Sequence, residues 1–304
     1  MNSSFTKSTD SKHKIKLDSN LIYVLWRSKY AYGGADAEFE VRTSLVGDGA
    51  EVKVKGKTGK GKSIGSADGK IYGNRYVGAI SIPDKIDPED EAYIEVRLPK
   101  HGLSGESNRI PARPRPAVKL MKWDRSVVRR NDTVTITCEF ESGVIDGDPA
   151  RILIREHNTG GVDISVADIP VTISNRKIEL KWLFDHSDPT ELIPAEPELT
   201  PHGKHYGPPK YYFIVLLDEI KIGTGRESGL MEFKDTASIK LVALPDIPLA
   251  NVNFHLNLAD GKQIKGKTGA DGVALIKDIP PGKAEIIVEG FDHAFVVDPL
   301  EGQS

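Results

Sequence analysis

The sequence predicts an all-β protein built as three tandem antiparallel β-sandwich domains. Apolar and polar residues alternate with period two in "AEFEVRT", "AEVKVKGK", "YIEVRL", "VTITCEF", "IELKWLF", "NVNFHLNL" and "AEIIVEG", as they do in strands with one buried face. Each run is bounded by Gly, Pro, Asn or Asp, the residues of tight turns. No apolar stripe of helical period occurs, which argues against a doubly wound α/β enzyme. A chain of 304 residues, 38% hydrophobic and 28% charged with 29 glycines, has material for two or three cores and the composition of small turn-rich β domains.

In chain order, residues 1–20 form a polar arm without the apolar segment of a secretory signal. "LIYVLW", Leu21–Trp26, is too short to span a bilayer and reads as a buried strand. The first domain is expected over 21–114. Within it "GKTGKGKS", Gly56–Ser63, matches a phosphate-binding loop letter for letter. That motif needs a strand buried on both faces and a following helix. Here Val52 and Val54 alternate with Glu51, Lys53 and Lys55, and Gly65, Gly69 and Gly73 occupy the span where the helix would start. The match is therefore read as a solvated polar loop between strands.

"RIPARPRPAVKL", Arg109–Leu120, reads as a stiff extended connector, since proline is unwelcome in the middle of a sheet. The second domain follows over 115–243 with a proline-rich insertion at 185–210. Cys138, the lone cysteine, lies on the inward parity of "TVTITCEF" with Val134, Ile136 and Phe140, as a buried structural thiol. Trp182 shares its parity with Ile178, Leu180 and Phe184 and belongs to the core. Both domains run strand, acidic-glycine turn, strand, polar loop, strand, acidic-proline loop, strand. This shared order predicts a duplicated immunoglobulin-like sandwich. "YYFIVLL", Tyr211–Leu217, is apolar on both parities, so a neighbouring domain or a partner subunit must cover its second face. A second seam, "LVALPDIPLA", opens the third domain, 244–304. There Val252, Phe254, Leu256 and Leu258 share one face, and Asp260-Gly261 and Asp271-Gly272 make turns. So small a domain is expected to lean on a neighbour or a partner.

Candidate chemistry is sparse. The insertion gathers Asp185, His186, Asp188, Glu191, His202 and His205, but prolines at 189, 194, 197, 201, 208 and 209 exclude the helix that would present a zinc pair. Its expected role is contact with another protein through His202, His205, Tyr206, Tyr211 and Tyr212. Ser228 reads as a turn residue and Asp87–Glu91 as solvated acids. Trp26, Trp123 and Trp182 could make a sugar-stacking platform. No catalytic, cofactor or metal residue is expected. The net charge of -3 gives no electrostatic reason to expect nucleic acid or an anionic membrane as partner.

Trp123, "RRNDTVTI", Trp182 and "PPKYYFIV" together resemble the immunoglobulin-like modules of spike, tip and accessory proteins in contractile injection machines, including type VI secretion. "PLANVNFHLNLADG", "GKTGADG" and "IPPGKAEIIV" are similar to the transthyretin-like, or carboxypeptidase-regulatory-like, modules of the same proteins. The resemblance covers about 190 residues and implies no catalytic residues. It implies a structural or accessory protein whose partners are other subunits of a larger cytoplasmic or exported assembly. A carbohydrate- or cell-wall-binding module, with surface glycan as partner, is the second expectation.

Overall fold

The computed structural model describes residues 16–87, 90–157, 162–185, 208–243, 245–282 and 284–290, and the backbone of 294–297. Among these the regular structure is strand throughout, apart from a 3-10 turn at Pro99–His101. No helix there is long and apolar enough to cross a membrane. The chain divides into two compact units, Met1–Pro116 and Ala117–Ser304.

In the first unit, β1 (Asn20–Trp26), β3 (Asp36–Ser44) and β6 (Arg75–Ser81) form one sheet in the order β1-β3-β6. The other sheet runs β2 (Ala31–Tyr32), β9 (Ile110–Arg113), β7 (Glu91–Leu98), β4 (Ala50–Thr58), β5 (Ser63–Ile71), with β8 (Leu103–Glu106) paired to β7. Phe39, Val41 and Ile80 from the first sheet pack with Val54, Ile94 and Val96 from the second. Each such side chain contributes about 1.5–3 kcal/mol when fully buried.

The second unit opens with the same plan. One sheet is β10 (Ala117–Trp123), β12 (Thr133–Ser142), β15 (Lys177–Leu183). The other is β11 (Val127–Val128), β18 (Met231–Phe233), β16 (Lys210–Leu217), β13 (Pro149–Glu156), β14 (Ile164–Thr172), with β17 (Ile220–Ile222) on β16. Strand for strand this repeats the first module, and it is the immunoglobulin-like arrangement of two stacked sheets. The repeat extends to detail. Both modules contain one short parallel pairing, β2 with β9 and β11 with β18, in otherwise antiparallel sheets. Trp26 and Trp123 each close the first strand. Cys138 stands two residues beyond the partner of Trp123, as Val41 stands two beyond the partner of Trp26.

The acidic-glycine turns show why the repeat holds. Gly49 and Gly147 take positive φ and donate their N–H groups to the carbonyls of Ile71 and Ile173. Asp48 accepts from the N–H of Gly73 at 2.8 Å and Asp146 from that of Arg176 at 3.1 Å. Those donors sit in two-residue turns, Gly73-Asn74 and Asn175-Arg176, with positive φ at both positions, the type I′ geometry that suits the twist of a hairpin. In each module the aspartate therefore fastens one connection onto another.

The third module packs a two-stranded sheet, β19 (Asp235–Lys240) with β24 (Val273–Ile279), over a four-stranded one. The latter runs β23 (Gln263–Lys267), β22 (Asn253–Asn257), β25 (Ala284–Val288), β26 (Ala294–Val297). A short hairpin, β20 (Val242–Ala243) with β21 (Ile247–Pro248), connects them. Phe254, Leu256 and Leu258 are buried with Ile239, Ile279 and Ile286.

Several expectations need correction. Gly56–Ser63, read as a polar loop, is largely strand: Gly56–Thr58 end β4 and Ser63 begins β5, which forms despite its glycines because β4 pairs with one side of its backbone. The connector Arg109–Leu120 is mostly sheet: Ile110–Arg113 is β9 and Ala117–Trp123 is β10. Pro111 is tolerated because its strand pairs only briefly, with β2 and the start of β7. "LIYVLW" is not buried on both faces, since Ile22 is 56% and Tyr23 39% exposed where a bulge interrupts the edge strand. The border placed at 243/244 falls inside the third module, because Ala237 and Ile239 of β19 belong to its core.

Candidate functional site

The phosphate-loop lookalike is a hairpin. Gly56–Thr58 end β4 and Ser63 begins β5. Thr58 N–H donates to Lys62 O and Gly61 N–H to Thr58 O, both at 2.8 Å. A Cβ on Gly56 would lie 2.9 Å from Ile64 Cγ1, so packing against the core explains that glycine. The lysines meet acids of the chain itself, Lys57 on Glu95 and Lys60 on Asp87. Asp90, expected to be solvated, is buried. The N–H of Glu91 donates to it at 2.9 Å, and this bond, with others from Thr58 and Gly59, holds its carboxyl below the ordinary range. It staples the hairpin to β7.

Of the expected interaction residues, His202, His205 and Tyr206 lie outside the described residues, as do His186, Asp188 and Glu191. Tyr211 and Tyr212 are buried, which withdraws their rings from surface contact. Tyr211 points into the main core beside Phe184, with ring centroids 5.2 Å apart. Burial first, and then the negative charge of the Glu156 carboxylate, push its hydroxyl's pKa up. Tyr212 faces the other way with Leu153 and Ile214. The second face of "YYFIVLL", expected to be covered by a neighbouring domain or a partner subunit, is buried within this chain.

A polar constellation that sequence reasoning missed lies there. Asp163 accepts from the Tyr212 hydroxyl at 2.6 Å and faces His157 Nδ1 at 3.2 Å. Arg226 Nη2 stands 4.0 Å from the same carboxylate, and its guanidinium lies 5.8 Å from the centre of the Tyr212 ring. Burial, and then the bond to Asp163, raise the pKa of the Tyr212 hydroxyl. Chemically this ties the segment after β13 to β16 and to the turn containing Arg226. No sequence signal joins these four residues, because two separate connections and a strand bring them together.

The second polar cluster clasps the second module to the third. Arg130 Nε and Nη2 donate to Asp235 at 3.2 and 3.1 Å, with the guanidinium 5.4 Å from the Phe233 ring centre. Beside it Arg129 bonds Asp278. The expected leaning of the small third module is therefore met within the chain. Ser228 sits in a turn as read, accepting from the N–H of Phe213 at 3.1 Å. Trp26, Trp123 and Trp182 are all buried, so they form no sugar platform. Among the described residues no group of three metal-ligating side chains converges.

No protein-family model matches the sequence, and no curated protein matches it. Among solved structures the chain is similar to native E. coli alpha-2-macroglobulin, at 7% identity and TM-score 0.28, over 92% of this chain and 22% of that one. It is similar to the FN1-FN3 domains of chicken CNTN1, at 9% identity and TM-score 0.23, over 91% and 97%. A marsupial T cell receptor shares 8% identity and TM-score 0.31, over 92% and 100%. The chain spans about a fifth of the alpha-2-macroglobulin it resembles. The β-sandwich class rests on the chain's own sheets and cores.

Proposed function

We propose that the chain is a non-enzymatic structural or accessory protein, a string of β-sandwich modules that docks onto or decorates a larger assembly. One observation carries the reading: the polar clusters are spent on holding the chain together. Asp90 staples a hairpin, Asp163 ties a connection to a sheet, and Arg130 with Asp235 locks two modules. Groups used in this way are scaffolding.

The sequence resemblance directs the proposal further, to contractile injection assemblies of the type VI secretion or phage-tail kind, with the last module transthyretin-like. Its motif residues Trp123, Trp182 and Phe213 are core residues here, so they speak for the fold, and the choice of assembly rests on the resemblance alone. The test is affinity purification of the tagged chain from its native host, followed by mass spectrometry. Recovery of subunits of such an assembly in stable proportion is the expected result. Recovery of the chain alone, at native expression and low salt, overturns the reading.

A further inference from the structure

The repeat makes an internal comparison possible, and one side of the first sandwich stands out in it. β5 and β6 are the outer strands of their two sheets and are joined by the Gly73-Asn74 turn. The carbonyl of Ile71 accepts from Gly49. Because backbone groups alternate sides along a strand, the even residues Ser66, Asp68 and Lys70 turn theirs away from β4, on the side where Tyr72, next to the turn, exchanges both its backbone hydrogen bonds with Arg75 of β6. Asn74 O accepts from Thr43 and Ile82 N–H donates to Ala35, so on β6 the odd residues Val77, Ala79 and Ser81 face outward in the same way.

In the second module the matching strands are blocked. Aligned on their turns, Pro170 takes the place of Asp68, and Glu179 and Lys181 those of Val77 and Ala79. Proline has no N–H to offer a new strand, and charged side chains on an edge discourage pairing. The first module has no proline in β5 or β6 and no charge at Val77 or Ala79, and the charges of β5 that alternate with its glycines, Asp68 and Lys70, are of opposite sign. β5 keeps an unbroken register from Gly65 to Ile71, and β6 one from Arg75 to Ser81. Ser66, Asp68, Lys70, Val77 and Ala79 are all exposed. Within the same unit β1 is interrupted by a bulge and β2 is two residues long.

We infer that this side is a two-fold interface with a second copy of the chain, β5 pairing antiparallel with β5 about Gly69 and β6 with β6 about Gly78. Charge selects the occupant. About Gly69, Asp68 of each copy meets Lys70 of the other, giving two opposite-charge pairs, whereas a register centred on Asp68 sets two carboxylates together. About Gly78, Val77 meets Ala79, apolar on apolar. Both centres can lie on one axis. A Cβ on Gly69 would stand 2.7 Å from the Tyr76 hydroxyl, and one on Gly78 2.8 Å from it. The two glycines therefore face each other across the sandwich at the same height. The Tyr76 hydroxyl reaches Asp68 O at 3.3 Å, leaving that carbonyl a lone pair for the incoming strand. Such an arrangement is isologous and closed.

Sedimentation velocity of the full-length chain over a concentration series tests this inference. The expected result is a reversible dimer, weakened about tenfold by Asp68→Lys, which sets lysine against lysine twice, and restored by Asp68→Lys with Lys70→Asp. Ala79→Lys, on the other strand, abolishes it. Unchanged near-ultraviolet circular dichroism shows that each variant is folded. A monomer at every concentration, a dimer indifferent to both Asp68→Lys and Ala79→Lys, or a loss that the double exchange fails to restore would each overturn it. This outcome is independent of whether the chain also docks onto an assembly.

Discussion

Glu40 shows how an exposed sheet face is held. Arg75 donates Nε and Nη2 to its two oxygens, both at 2.9 Å, and the Tyr23 hydroxyl donates at 3.1 Å. The Arg75 bond, foremost, lowers its pKa from an ordinary 4.5 to about 2. A carboxyl whose folded pKa is depressed adds stability that is complete above its unfolded value and is lost as pH falls through the folded one. Glu40→Gln is therefore expected to unfold with a smaller fall in melting temperature between pH 4.5 and 2 than the parent, measured by calorimetry. The two equivalent tryptophans differ. Trp26 Nε1 donates to Ala92 O at 3.2 Å, whereas Trp123 Nε1 is buried with no hydrogen-bond partner among the described residues. Trp26→Phe is expected to cost about 1 kcal/mol more than Trp123→Phe in denaturant titration, since it alone strands a carbonyl. Cys138 was legible from its parity. Burial pushes its thiol up to about 12, so a disulfide reagent is expected to react only on unfolding.

At the scale of elements, the alternating runs became strands and the Asp-Gly and acidic-glycine pairs became turns, because both signals are local. β5 was not legible, since "SIGSADGKI" has little strand propensity and forms because β4 supplies its partners. Gly266 was likewise silent in the sequence. A Cβ there would lie 2.2 Å from the Phe254 ring, so Gly266→Ala is expected to destabilise the third module by about 1–3 kcal/mol, read from its unfolding transition. Arg130→Ala leaves Asp235, whose side chain is only 5% exposed, without its bidentate partner. About 2–3 kcal/mol of stability is expected to go, with Arg130→Lys recovering only part, because an ammonium cannot fork onto two oxygens. The tether of His157, Asp163, Tyr212 and Arg226 had no such local signal and was invisible until the sheet brought two connections and a strand together.

For the whole molecule, the repeat and the location of the borders matter most. Since β19 completes the third core, removal of 235–304 is expected to leave a better-behaved protein than removal of 244–304. The latter strands Ala237 and Ile239 without their partner strand, and dye binding and light scattering should report it. By itself the sequence determined the class of fold and the duplication, because period-two burial and turn chemistry are properties of a few neighbouring residues. Tertiary structure alone decided which residues were available for function. It placed Tyr211 and Tyr212 inside, gave β19 to the third core, and left β5 and β6 open where Pro170, Glu179 and Lys181 close their counterparts. Availability depends on which strand ends up at an edge and what packs above it, and that is fixed only when segments distant in the chain meet.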